Sequence, residues 1–383
     1  MGKRELLLIG GFILMGVVVY SLTAPDSPAA GSGFSIANVI NEARREIRGN
    51  RASAEVDSTT TTAIGPNVRE LRVEARTVSL SIVGEERADV ASELKVWSSG
   101  YEEHEARKYA QETKLKATVA GDTLIVEIDY PRPAEQRSTL VVRVPKRLTV
   151  RIQPNRGKLQ VRGVAAVDLV EVRGDVHVGE IAGRVTAVHR GGPLTIEAAE
   201  TIKLNMRGGG VTLKNISGSV SVLAQSGEVR GIGLRGPLEV DGNNTEILLE
   251  DLQTTEANVR LNTVGGSVSL AGVRSELRLD ARDPDVAVAI AQPASIAIYT
   301  EGEETTTVIL PPGGFTLDAL AVQSQLTLPA GLPEIQTTAN EQRATGPVAG
   351  GGPTITLRSS RGPIVVREAE HKKREDAPKP PGT

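Results

Sequence analysis

Residues 211–222 read VTLKNISGSVSV, and this short stretch decides the fold. Five apolar residues fall in it at offsets 0, +2, +5, +9 and +11: Val211, Leu213, Ile216, Val220 and Val222. Side chains along a β-strand alternate between its two faces, so offsets 0 and +2 share one face of a first strand, and +9 and +11 share one face of a second. The residue at +5 points inward at the corner between them. The unit therefore predicts one coil of two short strands, which needs neighbouring coils to bury its apolar side chains.

The same unit recurs from Arg156 onward. The first apolar residues of successive units are separated by 17, 18, 17, 18, 18, 21 and 18 residues. They are Leu159, Val176, Leu194, Val211, Val229, Ile247, Val268 and Val286. Coils stack at about 4.8 Å, so eight of them make a rod of roughly 40 Å. The sequence thus predicts an all-β, single-stack β-solenoid with coils of about 17–21 residues.

The solenoid is predicted over residues 156–366, with an irregular excursion at about 323–352. A closing coil is expected after the excursion, because the 0, +2, +9, +11 spacing returns at Ile355, Leu357, Ile364 and Val366. Residues 66–155 alternate less regularly around a short helix near Glu102–Gln111, and they predict an N-terminal β-rich cap subdomain. The tail, residues 367–383, is charged and Pro-rich and is expected to be disordered.

The N-terminus has the pattern of a membrane anchor. Residues 6–24 (LLLIGGFILMGVVVYSLTA) are uncharged and mostly apolar, and a helix of this length spans about 28 Å. Lys3 and Arg4 precede it, which places the N-terminus in the cytoplasm and the body outside, in the periplasm or at the cell surface. Residues 1–24 are therefore read as a signal-anchor contacting the lipid bilayer through residues 6–24. A cleaved signal peptide is the alternative.

Residues 25–65 are predicted to be a linker that contains a juxtamembrane amphipathic helix at about 35–48.

The composition narrows the classes of function that the sequence allows. The chain has 383 residues, a net charge of −3 and no cysteine, which argues against nucleic-acid binding and excludes disulfides and thiolate metal sites. Aromatic residues make up only 2%, so the core must be built from aliphatic side chains.

The strands of the cap, the run VPKRLTVRIQPNRGKLQVRGV at 144–164 and the repeated G-x-V-x-V turns resemble the bacterial "putative adhesin" family of β-strand-repeat domains of unknown function. The resemblance covers residues 66–366. It implies an envelope-associated β-solenoid and brings no catalytic residue with it.

The outward positions of the coils form two rows that could carry a catalytic or metal site. Between offsets 0 and +2 they read Gln160, His177, Thr195, Thr212, Arg230, Leu248, Ser269 and Ala287. Between +9 and +11 they read Asp168, Thr186, Lys203, Ser221, Glu239, Arg260, Arg278 and Ala297. Neither row stacks carboxylates on successive coils, as a calcium site or an acid/base pair requires. His177 and His189 are read as exposed polar positions. No catalytic, metal or cofactor site is predicted.

Four arginines recur at a regular spacing that matches the coil length. Arg156, Arg173, Arg190 and Arg207 each precede a glycine of a turn and repeat every 17 residues. If the coils stack in register, these four side chains line one corner of the solenoid about 5 Å apart. They either fan into water, pair with carboxylates such as Glu171 or Glu197, or bind an anion.

The sequence therefore favours a non-enzymatic, membrane-anchored scaffold or binding protein of the cell envelope. Such a rod would present its surface to an envelope protein or an anionic surface polymer. Two alternatives stay open: a self-assembling structural solenoid of the bactofilin kind, and a degenerate polysaccharide-active β-helix enzyme.

Overall fold

The computed structural model describes residues 52–131, 136–252 and 258–368. These residues form an all-β structure with one helix, α1 (Glu103–Glu112). The strands are β1 (Ala52–Ala63), β2 (Glu70–Glu74), β3 (Val78–Glu85), β4 (Asp89–Gly100), β5 (Lys114–Ala120), β6 (Thr123–Asp129), β7 (Gln136–Pro145), β8 (Thr149–Ile152), β9 (Leu159–Arg162), β10 (Ala166–Val172), β11 (Val176–His189), β12 (Pro193–Arg207), β13 (Gly210–Lys214), β14 (Val220–Ile232), β15 (Leu238–Glu250), β16 (Val259–Val273), β17 (Leu277–Arg282), β18 (Asp285–Ile290), β19 (Ile296–Gly302), β20 (Thr306–Leu310), β21 (Phe315–Val322), β22 (Leu326–Thr327), β23 (Gln336–Thr337), β24 (Glu341–Val348), β25 (Thr354–Arg361) and β26 (Ile364–Glu368).

The strands line two faces of one flattened coil, which we call face A and face B. Strands β11, β12, β14, β15 and β16 bend and contribute a half to each face. Face A runs β5, β6, β2, β8, β10, β11, β12, β14, β15, β16, β17, β19, β25, β21, β24, β23. Face B runs β1, β4, β7, β3, β9, β11, β12, β13, β14, β15, β16, β18, β20, β26, β22.

The predicted register of the coils is confirmed. Val176 stands opposite both Leu159 and Leu194, and the ladder continues through every predicted first apolar residue to Val286. Both predicted rows of outward residues are also aligned coil by coil. Inward residues are almost all Val, Leu, Ile or Ala and form one core cluster that runs from Val68 to Val366. Because each coil buries its apolar face only against its neighbours, this shared core holds the rod together.

Glycine is required where the stacked turns touch. Gly192 has a φ of +93°, and a Cβ atom on it would lie 2.5 Å from the carbonyl oxygen of Gly174 on the adjacent coil. A side chain there would meet both a disfavoured backbone conformation and a steric clash.

The first and the last parallel coils of the described chain lie inside the stack and not at its ends. Strands β2 and β3, the first parallel pair in the sequence, lie between β6/β7 and β8/β9. The last pair, β25 and β26, lies between β19/β20 and β21/β22. The expected final coil therefore forms, but it does not close the rod. Each of these coils is hydrogen-bonded on both sides, which protects it from fraying.

The N-terminal segment differs from its prediction in two respects. Residues 52–63, assigned from the sequence to a linker, form β1, which pairs antiparallel with β4. The Thr-rich run lacks apolar alternation, but β-branched threonine favours strands.

The cap predicted for residues 66–155 also differs from its prediction, because it shares the solenoid core. Within it, only the insertion β4–α1–β5 departs from the coil pattern. The short helix is confirmed, and it packs on β1 and β4 with Ala106 and Ala110 buried.

At the C-terminal end, the predicted excursion supplies β22, β23 and β24. Strand β24 pairs antiparallel with β21 and covers the edge of face A.

Within the described ranges, no helix is long and apolar enough to span a membrane. The predicted anchor, the helix at about 35–48 and the charged tail from residue 369 lie outside the described residues.

Candidate functional site: one outward row at a corner of the solenoid

The four predicted arginines lie together at the corner where the chain passes from face A to face B. The Arg173 N–H donates to the carbonyl of Asn155, and the Arg190 N–H donates to that of Val172, as neighbouring parallel strands do. His189 stands opposite Met206, which places Arg207 next in line. The four side chains therefore occupy successive coils about 4.8 Å apart. We call this set the arginine corner.

The four guanidinium groups are not equivalent. Arg190 is half-buried, and its Nη2 lies 2.5 Å from Glu171 Oε1, one of the carboxylate partners expected from the sequence. Arg156, Arg173 and Arg207 are exposed, and no ion pair or side-chain hydrogen bond to another described residue holds them. Three like charges thus project from one corner toward solvent without a carboxylate to neutralise them.

The outward row that begins with these arginines continues to the other end of the rod. Arg207 stands opposite Gln225, and the pairing then proceeds strand by strand across face A. The continuing members are Gln225, Asn243, Val264, Arg282, Glu301 and Ser360. We call the whole set the corner row. Its second half is no longer uniformly basic.

A groove of about 620 Å³ lies beside this second half, within the size range typical of ligand sites. It runs across β15, β16, β17, β19, β25 and β21. One wall is the second half of the corner row, and the other is the outward row two residues earlier in each strand, which includes Asp241, Asn262, Asp280, Tyr299 and Arg358. The floor is backbone with small residues: Gly242, Thr263, Ala281, Thr300 and Ser359. We call this feature the Tyr299 groove.

Tyr299 is the aromatic residue of the groove. Its side chain is 37% exposed, and the guanidinium carbon of Arg278 lies 5.3 Å from the centre of its ring. Asp280 Oδ2 accepts a hydrogen bond from Arg278 Nε at 2.7 Å, and this bond raises the pKa of Arg278 above its usual value. The stacked arginine restrains the ring on the surface of the sheet.

Every arginine around the groove has a carboxylate partner. Arg282 Nη2 lies 2.9 Å from Glu301 Oε2. Arg358 pairs with Asp318, and this hydrogen bond is the main reason why the pKa of Asp318 lies below its usual range. The charges around the groove are therefore largely balanced, whereas the exposed charges of the arginine corner are not.

The two histidines prove to be in different environments. His177 is exposed, as expected, but His189 is fully buried, so its reading as an exposed position is wrong. His189 follows the inward residues Val185 and Ala187 at two-residue spacing, which turns its ring into the core. Its Nε2 donates a hydrogen bond to the Gly192 carbonyl oxygen at 3.0 Å.

In the part of the chain that the structure describes, no group of three or more His, Asp or Glu residues is arranged to hold a metal ion.

Sequence reasoning located the arginine corner but missed the Tyr299 groove. Residues 156–298 contain no Phe, Tyr or Trp, and Tyr299 is the next residue after this stretch. Its partners come from distant positions, because β25 is inserted between β19 and β21. The available signal was a tyrosine two positions after the outward residue Ala297, which places it on the outer face.

These features define a parallel β-solenoid with two faces, an aliphatic core and polar chemistry along one outward corner. The family model described as Toastrack DUF4097 matches residues 68–367, and the chain belongs to this family. The match confirms the resemblance noted over residues 66–366.

One solved structure matches as well. It is described as a "putative cell adhesion protein" from Clostridium sporogenes, and the alignment covers 82% of this chain and 100% of that chain at 11% identity. The TM-score is 0.20, too low to support an argument about fold or function. Comparison with the curated proteins found no match.

Proposed function

We propose that this protein is a non-enzymatic, membrane-anchored scaffold of the cell envelope, whose solenoid presents binding surfaces to surface polymers or to other envelope proteins. The observation that carries the proposal is the arginine corner. Arg156 and Arg173 lie on neighbouring coils and Arg207 lies two coils further on, and none of these exposed guanidinium groups has a carboxylate partner among the described residues, on a chain whose net charge is −3. Like charges so close repel each other, so an anionic ligand that bridges them lowers the free energy of the bound state.

The shape of the rod supports this role. A single aliphatic core and the two coils inserted between others (β2/β3 and β25/β26) favour a stiff body. A stiff body keeps its outward rows of side chains aligned. With the predicted helix at residues 6–24 in the bilayer, such a rod would display the corner row outside the cytoplasm. An extended phosphate-rich polymer would contact several arginines at once and gain affinity from each.

Self-assembly is less well supported. Filaments built from stacked solenoids require open parallel edges at both ends of the rod. Here antiparallel strands cover three of the four outer edges of the described rod: β1 and β4 on face B, and β5 and β24 at the two ends of face A; the fourth edge is β22, a parallel strand of only two residues. This arrangement limits end-to-end pairing.

Charge reversal at the arginine corner tests the proposal. In the full-length chain in detergent, Arg156→Glu combined with Arg173→Glu is expected to abolish binding to polyglycerol phosphate, because it converts the attraction of two neighbouring coils into repulsion. Affinity is measured by calorimetry at two ionic strengths, and wild-type affinity should fall as salt rises.

The matched control reverses Arg235 and Arg260, which are also exposed but lie away from the corner row. This control changes the net charge equally and should bind like the wild type. Unchanged binding by the Arg156/Arg173 double variant would rule out the arginine corner as the polymer site.

A further inference from the structure

The ion pairs of the Tyr299 groove argue for an uncharged ligand. Arg278, Arg282 and Arg358 are held by Asp280, Glu301 and Asp318, respectively. Asp241 lies outside these pairs, and its Oδ1 accepts a hydrogen bond from Asn262 Nδ2 at 2.7 Å. A strongly charged ligand would have to break one of these ion pairs, whereas a neutral ligand with hydroxyl groups can hydrogen-bond to the carboxylates, the amide and the guanidinium edges as they stand.

The apolar part of the groove calls for a ligand with a flat apolar surface. Val264 is 48% exposed and faces the groove together with Tyr299. Leu320 and Val322 of β21 complete the apolar lining at the C-terminal end. A sugar ring combines such a surface, formed by its C–H groups, with hydroxyls around its edge. An aromatic ring flanked by planar polar side chains is complementary to both.

The direction of the groove argues against an extended peptide. A peptide that binds to a sheet usually adds as a strand and needs free backbone donors and acceptors at an edge. The strands below the groove have partners on both sides: β17 lies between β16 and β19, and β19 lies between β17 and β25. A ligand in this groove must therefore be recognised by side chains.

The groove follows the rod axis across six strands, a length of about 24 Å at the usual strand spacing. That length accommodates several sugar rings in line. We propose that the Tyr299 groove binds a neutral saccharide chain, with one ring stacked on Tyr299 and hydroxyls of rings further along the chain hydrogen-bonded to Asn262 and Asp241, which lie two and three strands away. This inference rests on the proposed function, for which it names a second ligand class at a separate site.

Binding of defined oligosaccharides to the full-length chain in detergent tests this assignment. The probes are two neutral tetrasaccharides, one of β-1,4-linked N-acetylglucosamine and one of α-1,4-linked glucose. At least one should bind in calorimetry and receive saturation transfer from aromatic protons in NMR. Tyr299→Ala should weaken that binding about tenfold, because stacking and apolar burial are lost together.

Two further variants separate stacking from a general effect on structure. Tyr299→Phe retains the ring and should bind nearly as well as the wild type. Trp97→Ala removes another exposed aromatic residue, 40% exposed and 5.9 Å from the Arg137 guanidinium carbon, and should leave saccharide affinity unchanged. Unfolding temperatures of all variants establish that each one is folded.

The outcomes distinguish this inference from the proposed function. If polyglycerol phosphate binds at the arginine corner and neither tetrasaccharide binds, the saccharide assignment is overturned and the scaffold proposal stands. If neither class of polymer binds, both fall. Saccharide binding that persists at full affinity in Tyr299→Ala also overturns the assignment to this groove.

Discussion

The arginine corner is the first half of the corner row and the Tyr299 groove lies beside its second half, yet the corner is basic and the groove is close to charge-balanced. In the first half, Arg156, Arg173 and Arg207 extend into solvent, and no carboxylate of the described residues pairs with them. Beside the second half, each arginine of the groove is paired and the ring of Tyr299 is exposed. The backbone of the two halves is nearly the same, with parallel strands in register over one aliphatic core. The coil therefore dictates the inward residues and leaves each outward position free to acquire its own chemistry.

The prediction with the largest expected effect concerns whether the coils below the arginine corner and those below the Tyr299 groove share one core. Leu204→Ala lies below the arginine half and Leu261→Ala below the groove half, and both leucines are buried inward on face A. Each should lower the free energy of unfolding by about 2–5 kcal/mol, since a large buried side chain is lost and a cavity remains. Urea denaturation followed by circular dichroism measures the change. Two separate transitions would show that the halves are independent bodies.

The second prediction concerns the paired charges of the groove half. Asp318→Asn removes the partner of Arg358 and should cost about 1 kcal/mol at neutral pH, because the pair is partly exposed and screened. The folded-state pKa of Asp318 is lowered, so its contribution is present above the unfolded pKa and is lost as the pH falls through the folded pKa. The wild type should therefore lose its advantage over the variant below about pH 4. An advantage that is constant from pH 7 to pH 3 would contradict this account.

The smallest effect is expected in the arginine half. Arg173→Gln removes one member of a row of like charges and should change stability by less than about 0.5 kcal/mol, with a slight gain at low ionic strength. Chemical denaturation at low and high salt measures it. A clear loss of stability would mean that Arg173 has a structural partner, and the contrast with Asp318 would disappear.

The sequence predicts the regular part of the rod well, for a physical reason. Inward residues such as Val211 and Val222 must be apolar, so the coil period is visible and its register places every outward residue. The arginine corner follows directly, because Arg156 to Arg207 repeat at that period.

Three features escape the same reasoning. Every coil has the same apolar pattern, so nothing in Ile355 or Ile364 reveals that β25 and β26 enter between earlier coils. Strand β1 contains the polar run Thr59–Thr62, in which no residue is buried to mark it as a strand. The Tyr299 groove depends on both difficulties, since Tyr299 meets Arg358 only through the threaded coil.

The most direct test of the central claim, that the arginine corner and the Tyr299 groove are two separate binding sites, is a binding matrix. Wild type, the Arg156→Glu/Arg173→Glu variant and Tyr299→Ala are each titrated with polyglycerol phosphate and with the tetrasaccharide that the wild type binds. The arginine variant is expected to lose binding only to the phosphate polymer, and Tyr299→Ala only to the saccharide. Parallel loss of both ligands in either folded variant would contradict this claim.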